Sequence, residues 1–383
     1  MNFGLTTEFC ITAPRDAEWQ TLTDGLTPDN RFATAAWIRA WGRSFLPYQN
    51  WLPPLRYLTV RTGDGRLRAV FPFATQKQSG IPVASLAGFY WPFRSPIIPD
   101  NSGAEVSEAL ASAFTHSWTA LALRYGPVPE AHPGIASLNV ALENQGWRLR
   151  PLKLGETFAV NLPDTWQQFV HSLSKTLRTN IYYYERKMRR EGEFEIRHIK
   201  NSAGMSWSET VRDLGVVEGN SWQRREGSQL RFYGERNQAF WTNLLSESGF
   251  GEMVSVWVMY FNGEPVSFCF CLDCADIRHI VANNYAEHVH AYSTGSVLYR
   301  YLFRDAVESD TLRSVNIGMG DSGYKSRWGA NPSFQLVDWI AFRPGVRGYL
   351  LDFAHRMRRS FGKRNVQASE RWHQPELPAS SDA

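Results

Sequence analysis

The chain has no apolar run long enough to span a bilayer, and its start, Met1-Asn2-Phe3-Gly4-Leu5-Thr6-Thr7-Glu8, has no basic segment leading into a hydrophobic stretch. A cytoplasmic protein is expected. Cysteine is scarce, at four in 383 residues: Cys10 stands alone, while Cys269, Cys271 and Cys274 share one apolar run. Strand alternation puts Cys269 and Cys271 on one face, and no nearby histidine pair completes a tetrahedral set, so free buried thiols are expected there and no metal site. Charge of one sign is missing too. A net charge of +4 is too small to announce nucleic-acid binding. The sequence also lacks a Gly-x-Ser-x-Gly elbow, which argues against a hydrolase of the Ser-His-Asp type.

What is present suits a globular protein of two domains, since 383 residues with 43% apolar and 14% aromatic content can bury two cores. In the first half a helix is predicted over 32–41, followed by a hairpin that joins 55–60 to 67–73 through Gly63-Asp64-Gly65. A helix over 106–114, a strand over 118–125 and a helix over 135–145 come next, and Gly146-Trp147 closes the half. From about Glu156 the logic repeats. A second hairpin joins 254–260 to 265–271 through Asn262-Gly263, at a place comparable to the first. We read an internal duplication of a mixed α/β unit, with domains at 1–155 and 156–345. Residues 347–364 suit a basic amphipathic helix, for which docking on its own domain is favoured over an anionic surface, and 366–383 have the composition of a disordered tail.

The most informative stretch is Gly318-Met319-Gly320-Asp321-Ser322-Gly323-Tyr324-Lys325-Ser326-Arg327-Trp328-Gly329. An alternating run, Ser314 to Ile317, reads as a strand that four glycines then prevent from continuing. A strand therefore ends in a loop that carries an acid, a phenol, an amine and a guanidinium, and open sheets bind ligands at such strand ends. The competing reading is a surface turn whose Lys325 and Arg327 are merely solvated.

Three other stretches carry chemistry. Over 172–190, Leu173, Leu177, Ile181, Tyr184 and Met188 form one helical stripe, and Lys175, Arg178, Tyr182, Arg186 and Arg189 a second. Six basic residues against one acid between 175 and 190 favour an anionic partner over an ordinary solvated face. In Glu218-Gly219-Asn220-Ser221-Trp222-Gln223, with Gly227 beyond, Glu218 beside a tryptophan is either a proton acceptor of raised pKa or a hydrogen-bonded loop acid. A strand over 277–284 leads through a loop holding Tyr285, His288 and His290 to a helix over 293–303. There Ser293 or Thr294 would cap the helix, and the uncovered amides near Gly295 and Ser296 would suit a phosphate.

The pattern Gly-x-Gly-Asp-x-x-Tyr-Lys-x-x-Trp-Gly resembles the signature loop of the CelD-like branch of the GNAT acyltransferase superfamily, and is similar to the Phe-Lys-x-x-Phe-Gly loop of Fem-type aminoacyltransferases. Ser-Lys-x-x-Arg-x-Asn-Ile, from Ser174, and Glu-x-x-Ser-Trp, from Glu218, resemble further elements of these proteins, although Gln223 replaces a usual lysine. Of the glycine-rich coenzyme A loop only Gly295 survives, in a reduced Ser-x-Gly form. The resemblance runs from about 32 to 340 and implies tandem GNAT-like domains, each a mixed, mostly antiparallel sheet flanked by helices. It implies an N-acyltransferase that takes an acyl group from acyl-CoA, acetyl-CoA in particular, to an amine such as an amino sugar or lipid-linked saccharide of an exported polysaccharide. Its alternatives are a Fem-like enzyme with an aminoacyl-tRNA donor and a non-catalytic assembly scaffold.

Lys325 would offset the oxyanion, Tyr324 would protonate a leaving thiolate or form an aromatic wall, and Asp321, Glu218 or His288 would take the amine proton. Substrate contacts are expected from Lys175, Arg178, Tyr182, Trp222, Tyr285, His288, Arg327 and Trp328. Ser293, Thr294, Gly295 and Ser296 are expected to hold the donor, with no metal. A membrane-associated acceptor would place the protein at the inner face of the membrane.

Overall fold

The computed structural model describes residues 4–28, 31–46, 51–78, 81–88, 94–200, 206–225, 230–247, 249–321 and 323–361. Gly227, Ser322 and the tail at 366–383 lie outside the described residues. The chain forms two compact units, the first from Met1–Thr27, Ala33–Leu154 and Leu336–Ala383, the second from Pro28–Phe32 and Gly155–Gln335.

In the first unit β1 (Thr6–Cys10), β2 (Trp51–Arg61), β3 (Leu67–Gln78) and β4 (Ile81–Leu86) are successive antiparallel neighbours, with α1 (Asp16–Asp24) and α2 (Ala35–Phe45) between β1 and β2. A crossover helix, α3 (Ala104–His116), leads to β5 (Ala122–Pro129), which pairs with β4 in parallel. After α4 (Pro133–Asn144) the chain leaves along β6 (Arg148–Asn161). It returns at the end of β12 (Asn331–Phe342), which pairs antiparallel with β5 from Leu336 to Phe342. The last helix, α11 (Val346–Phe361), follows.

The second unit repeats this plan. After α5 (Trp166–Ser172) and α6 (Lys175–Glu191), the strands β7 (Phe194–Lys200), β8 (Val254–Phe261), β9 (Glu264–Cys274) and β10 (Ile277–Tyr285) are again antiparallel neighbours. Between β7 and β8 lie α7 (Trp207–Gly219), α8 (Trp222–Arg225) and α9 (Glu235–Leu245). A crossover through α10 (Thr294–Val307) leads to β11 (Ser314–Met319), parallel to β10 and antiparallel to the Thr157–Asn161 end of β6. The tandem mixed α/β organisation is thus present, and the two hairpins read from sequence are the second and third strands of each meander. Asn262 and Gly263 both have positive φ, 53° and 81°, as a tight two-residue hairpin turn requires.

Alternation along β9 explains its burial on both faces. Phe268 and Phe270 pack against Phe232, and Phe270 also meets Trp241 of α9, while Cys269 and Cys271 face the cluster formed with α6 and α10. None of the four cysteines is in a disulfide, and the Cys269 and Cys271 sulfurs are 3.9 Å apart.

Local boundaries depart from the sequence reading where side chains cap or stack. The strand predicted from Trp118 begins at Ala122, because Trp118 stacks on Phe9, with centroids 5.1 Å apart, and meets Phe73 edge-on. The helix predicted from 172 is two helices. Ser174 accepts from the Leu177 amide and starts α6 afresh, so Leu173 precedes the stripe it was assigned to. Such a cap contributes about 1 kcal/mol.

Candidate active site

The parallel pair of the second unit sets up the site. β10 and β11 are in register only at Ile277, Arg278 and His279 against Ser314, Val315 and Asn316, although β10 runs on to Tyr285 and β11 to Met319. Each strand carries an irregularity just past that register, between Ile280 and Ala282 on β10 and between Asn316 and Gly318 on β11. Main-chain pairing is given up at the carboxyl ends of two parallel strands, where backbone groups and loops become available to a ligand.

From the end of β11 the glycine-rich loop is built by its own polar groups. Gly320 and Gly329 have φ of 71° and 79°, a region an L side chain rarely enters, and the Gly320 amide donates to Glu156 O at 2.9 Å. The Asp321 carboxylate accepts from the amides of Lys325, at 2.8 Å, and Ser326, at 3.1 Å, which fastens the turn over Ser326–Trp328. Burial works to raise its pKa, but the amide donors win and hold it below the usual range. Arg327 is exposed, and its Nε donates to Gly323 O at 3.1 Å.

Lys325 is half-buried, and its Nζ donates to Met319 O at 2.9 Å. Burial lowers its pKa to about 8 against the pull of the Asp321 carboxylate. A surface lysine merely in solvent would show neither feature. Tyr324 is half-buried with its ring 5.3 Å from that of Tyr299, and burial pushes both phenols well above their usual range. Asn283 Nδ2 donates to the Tyr299 hydroxyl at 2.7 Å. Trp328, expected to touch substrate, is a core residue instead. Its ring lies 5.2 Å from Phe303, 13° off parallel, within a stack that continues through Phe169 to Trp166.

Glu218 takes the structural alternative weighed in the sequence. Its carboxylate is buried and accepts from the amides of Arg231, Phe232 and Tyr233 at 3.0, 2.7 and 2.9 Å. Burial raises its pKa, as the sequence suggested, while the three amides favour the charged form and fill most of its acceptor positions. The segment around it reaches the end of β10 through Asn284. Asn284 Nδ2 donates to Gln223 Oε1 at 2.9 Å and to Ser221 Oγ at 3.3 Å, and Asn284 Oδ1 accepts from the Tyr285 amide at 2.9 Å. Gln223, where the family pattern has lysine, is thus a tether for the strand. Trp222 and Tyr285 are half-buried beside it.

At the other side of β10's end, a turn over Glu287–Tyr292 precedes α10 and carries His288 exposed. Ser293 occupies the cap position in the left-handed region, φ 48°, and its side chain accepts no capping hydrogen bond, contrary to the role read for it. Ser293 O accepts from the amides of Ser296 and Val297 at 2.9 and 3.2 Å. The Thr294 and Gly295 amides precede any intrahelical bond. Thr294 Oγ1 is buried without a hydrogen-bond partner, and a Cβ built at Gly295 meets no atom within 4 Å. An open helix start with an unsatisfied hydroxyl fits a phosphate oxygen.

On α6, Leu177, Ile181 and Met188 are buried as predicted, while Lys175 and Tyr182 are exposed and Arg178 is half-buried. The basic face is less uniform than it reads. Glu185 is buried and ion-paired with Arg189 and Arg300, and it accepts from the Tyr301 hydroxyl. The Arg300 guanidinium sits 4.6 Å from the Tyr182 ring, so Tyr182 faces α10. The structure gathers Asp321, Tyr324 and Lys325 in one loop, and sets Trp222, Tyr285 and the start of α10 around the end of β10. Asn283, Asn284 and Tyr299 were missed; two asparagines closing an apolar strand were the available signal.

Residues 175–326 match the model of the acetyltransferase (GNAT) domain. That match lies within the second unit and identifies a GNAT-type acetyltransferase domain there. Among solved structures the chain is similar to FemX, at 10% identity with a TM-score of 0.57, covering 87% of this chain and 96% of that one. It is similar also to the C-terminal domain of a protein described as a lysylphosphatidylglycerol synthetase from Agrobacterium fabrum, at 13% identity and a TM-score of 0.50, covering 90% and 97%. A conserved protein of unknown function from Bacteroides thetaiotaomicron gives 11% identity and a TM-score of 0.52, covering 88% and 100%. At these identities the likeness is one of fold. No curated protein matches. Among the described residues no helix is long and apolar enough to cross a membrane, and no three His, Cys, Asp or Glu side chains gather as metal ligands.

Proposed function

We propose that the protein is an N-acyltransferase that takes an acyl group from an acyl thioester, acetyl-CoA in the first instance, to the amine of an amino sugar or lipid-linked saccharide. The observation that carries this reading is the early end of the β10–β11 pairing, flanked by the partly desolvated Lys325 and Tyr324 on one side and the open start of α10 on the other. In the reaction the neutral amine forms a C–N bond to the thioester carbonyl, charge builds on oxygen, and the C–S bond breaks to release a thiolate. The Lys325 ammonium offsets the oxyanion. The Tyr324 hydroxyl serves the thiolate as a hydrogen-bond donor; its raised pKa keeps it a donor throughout the physiological range. The Thr294 hydroxyl and the Thr294 and Gly295 amides hold phosphate oxygens of the donor. Asp321 and Glu218 shape the loops and take no proton in this reading, so the surplus amine proton leaves to water.

The CelD-like motifs support a saccharide acceptor for an exported polysaccharide, and the exposed cations of α6, Lys175 and Arg186 among them, suit an anionic lipid-linked one. Such an acceptor sets the work in the cytoplasm at the inner membrane face. The test is to incubate the purified protein with acetyl-CoA and amino-sugar acceptors, following free thiol and the acceptor's mass. Thiol release coupled to one acetyl added per acceptor, insensitive to ribonuclease, is the expected result. Loss of activity after ribonuclease would move the donor to an aminoacyl-tRNA, and a chain inert with every donor would be a scaffold.

A further inference from the structure

The helix α11 has two faces, and its contacts with the core lie on one of them. Its inner face holds Gly348, where a Cβ would overlap the Arg343 carbonyl oxygen, Leu351, which packs against the Val83, Ala122 and Phe342 cluster, and Asp352. Asp352 is fully buried, with Arg150 donating to both of its oxygens at 2.7 Å. This is the docking that the sequence reading favoured.

The opposite face is apolar and exposed, with the Arg148 guanidinium 4.8 Å from the Tyr349 ring at its edge. Val346, Tyr349, Leu350, Phe353 and Met357 recur at helical spacing on one stripe, and all are exposed, Val346 by 76% and Leu350 by 59%. On the helical wheel Arg347 and Arg358 border one side of that stripe and Arg356 the other; all three are exposed, and Arg356 also reaches Asp352 at 3.7 Å and lies over the Phe353 ring. Asp352 is the sole acid between 346 and 361, and it points inward. The outward surface of α11 therefore joins apolar and cationic groups without an acid.

We propose that this face of α11 is a docking surface for an anionic lipid bilayer, on which the helix lies parallel to the surface with Leu350 and Phe353 in the acyl boundary and the arginines among the headgroups. Charge complementarity selects this occupant. A second copy meeting the same face would bring its arginines against those of the first, like charge against like. An interfacial helix asks instead for an apolar stripe, basic borders and a rigid attachment. The surface goes beyond the acyl-transfer reading, since binding needs no turnover.

The experiment is co-sedimentation of the full chain with vesicles of phosphatidylcholine alone and of phosphatidylcholine with phosphatidylglycerol. Binding to the anionic vesicles, weakened by salt, is expected. The double variant Leu350→Glu with Phe353→Glu should lose at least about tenfold in partitioning while keeping the parent's melting temperature, because both side chains are outside the core. The triple variant Arg347→Gln, Arg356→Gln, Arg358→Gln should lose the preference for anionic vesicles. Failure to bind them, equal binding by the glutamate variant, or self-association abolished by that variant without vesicle binding would each overturn the proposal, the last in favour of a second copy.

Discussion

The two units solve the same topological problem differently at the ends of their parallel strands. In the first, β4 and β5 are in register over three residues, Val83, Ala84 and Ser85 against Ala122, Leu123 and Arg124, just as β10 and β11 are in the second. Beyond that register the first unit fills the space with its own chain. The Arg94 amide donates to Pro127 O at 3.0 Å, its buried guanidinium Nε donates to Gly126 O at 2.7 Å, Ile97 bridges to Val70, and Ile97 and Ile98 are buried. The second unit has a half-exposed lysine, a half-exposed phenol and an open helix start at the corresponding ends. The two units carry equivalent parallel strand pairs, each in register over three residues. One became core and the other kept groups that chemistry can use.

If that contrast is functional, the largest effect belongs to Lys325. Lys325→Ala should leave the fold nearly intact and lower transfer by at least ~10²-fold, the scale of losing one preorganised oxyanion donor. Parent-like turnover by a folded variant would remove Lys325 from the site and make the second unit as inert as the first. The next effect is on pH. With Lys325 poised at about 8, transfer should fall with a one-proton slope above that pH if the ammonium is the working form. Lys325→Arg should move this limb out of range, because guanidinium stays charged. The same shift has a stability sign. The unfolded lysine stays protonated up to its ordinary value of 10.5 while the folded one releases its proton near 8, so stability rises with pH across that window. Lys325→Met should flatten that rise in chemical denaturation.

Much of this was legible before the fold. Four glycines after an alternating run meant a strand ending in a shaped loop, because their positive φ values are a local demand that sequence carries directly. The hairpins and the stripe of Leu177, Ile181 and Met188 were legible for the same local reason. What stayed hidden depends on partners far along the chain. Glu218 could be read as a base until the amides of Arg231, Phe232 and Tyr233 were found on it, and Trp328 could be read as a substrate contact until Phe303 and Phe169 were found stacked with it. Periodicity alone cannot tell a parallel pair from an antiparallel one, so the splay of β10 from β11 had no signal in either segment.

A smaller effect is expected at the start of α10. A Cβ at 295 meets no atom of the surrounding protein within 4 Å, so Gly295→Val should spare the fold. It should weaken acyl-CoA binding about tenfold, or ~1.4 kcal/mol, by standing where a phosphate must approach the first-turn amides. Calorimetric titration with coenzyme A reads this directly, and an unchanged affinity would take the donor's phosphates away from this helix.

The smallest expected effect on transfer is at Arg94, and it tests the comparison from the other side. Arg94 is buried in the first unit, where its Nε hydrogen bond to Gly126 O is part of what fills the strand ends. Arg94→Met keeps the stem's bulk and leaves that carbonyl without its charged donor, which should cost about 2 kcal/mol in unfolding free energy. Activity per folded molecule should not change, because on this account the first unit binds neither donor nor acceptor. Denaturant unfolding and initial rates measured on one preparation separate the two quantities. A variant that loses stability and keeps kcat/KM marks the filled unit as scaffold. A variant that keeps stability but loses kcat/KM would mean that the first unit's strand ends handle substrate, and the contrast drawn between the two units would then be false.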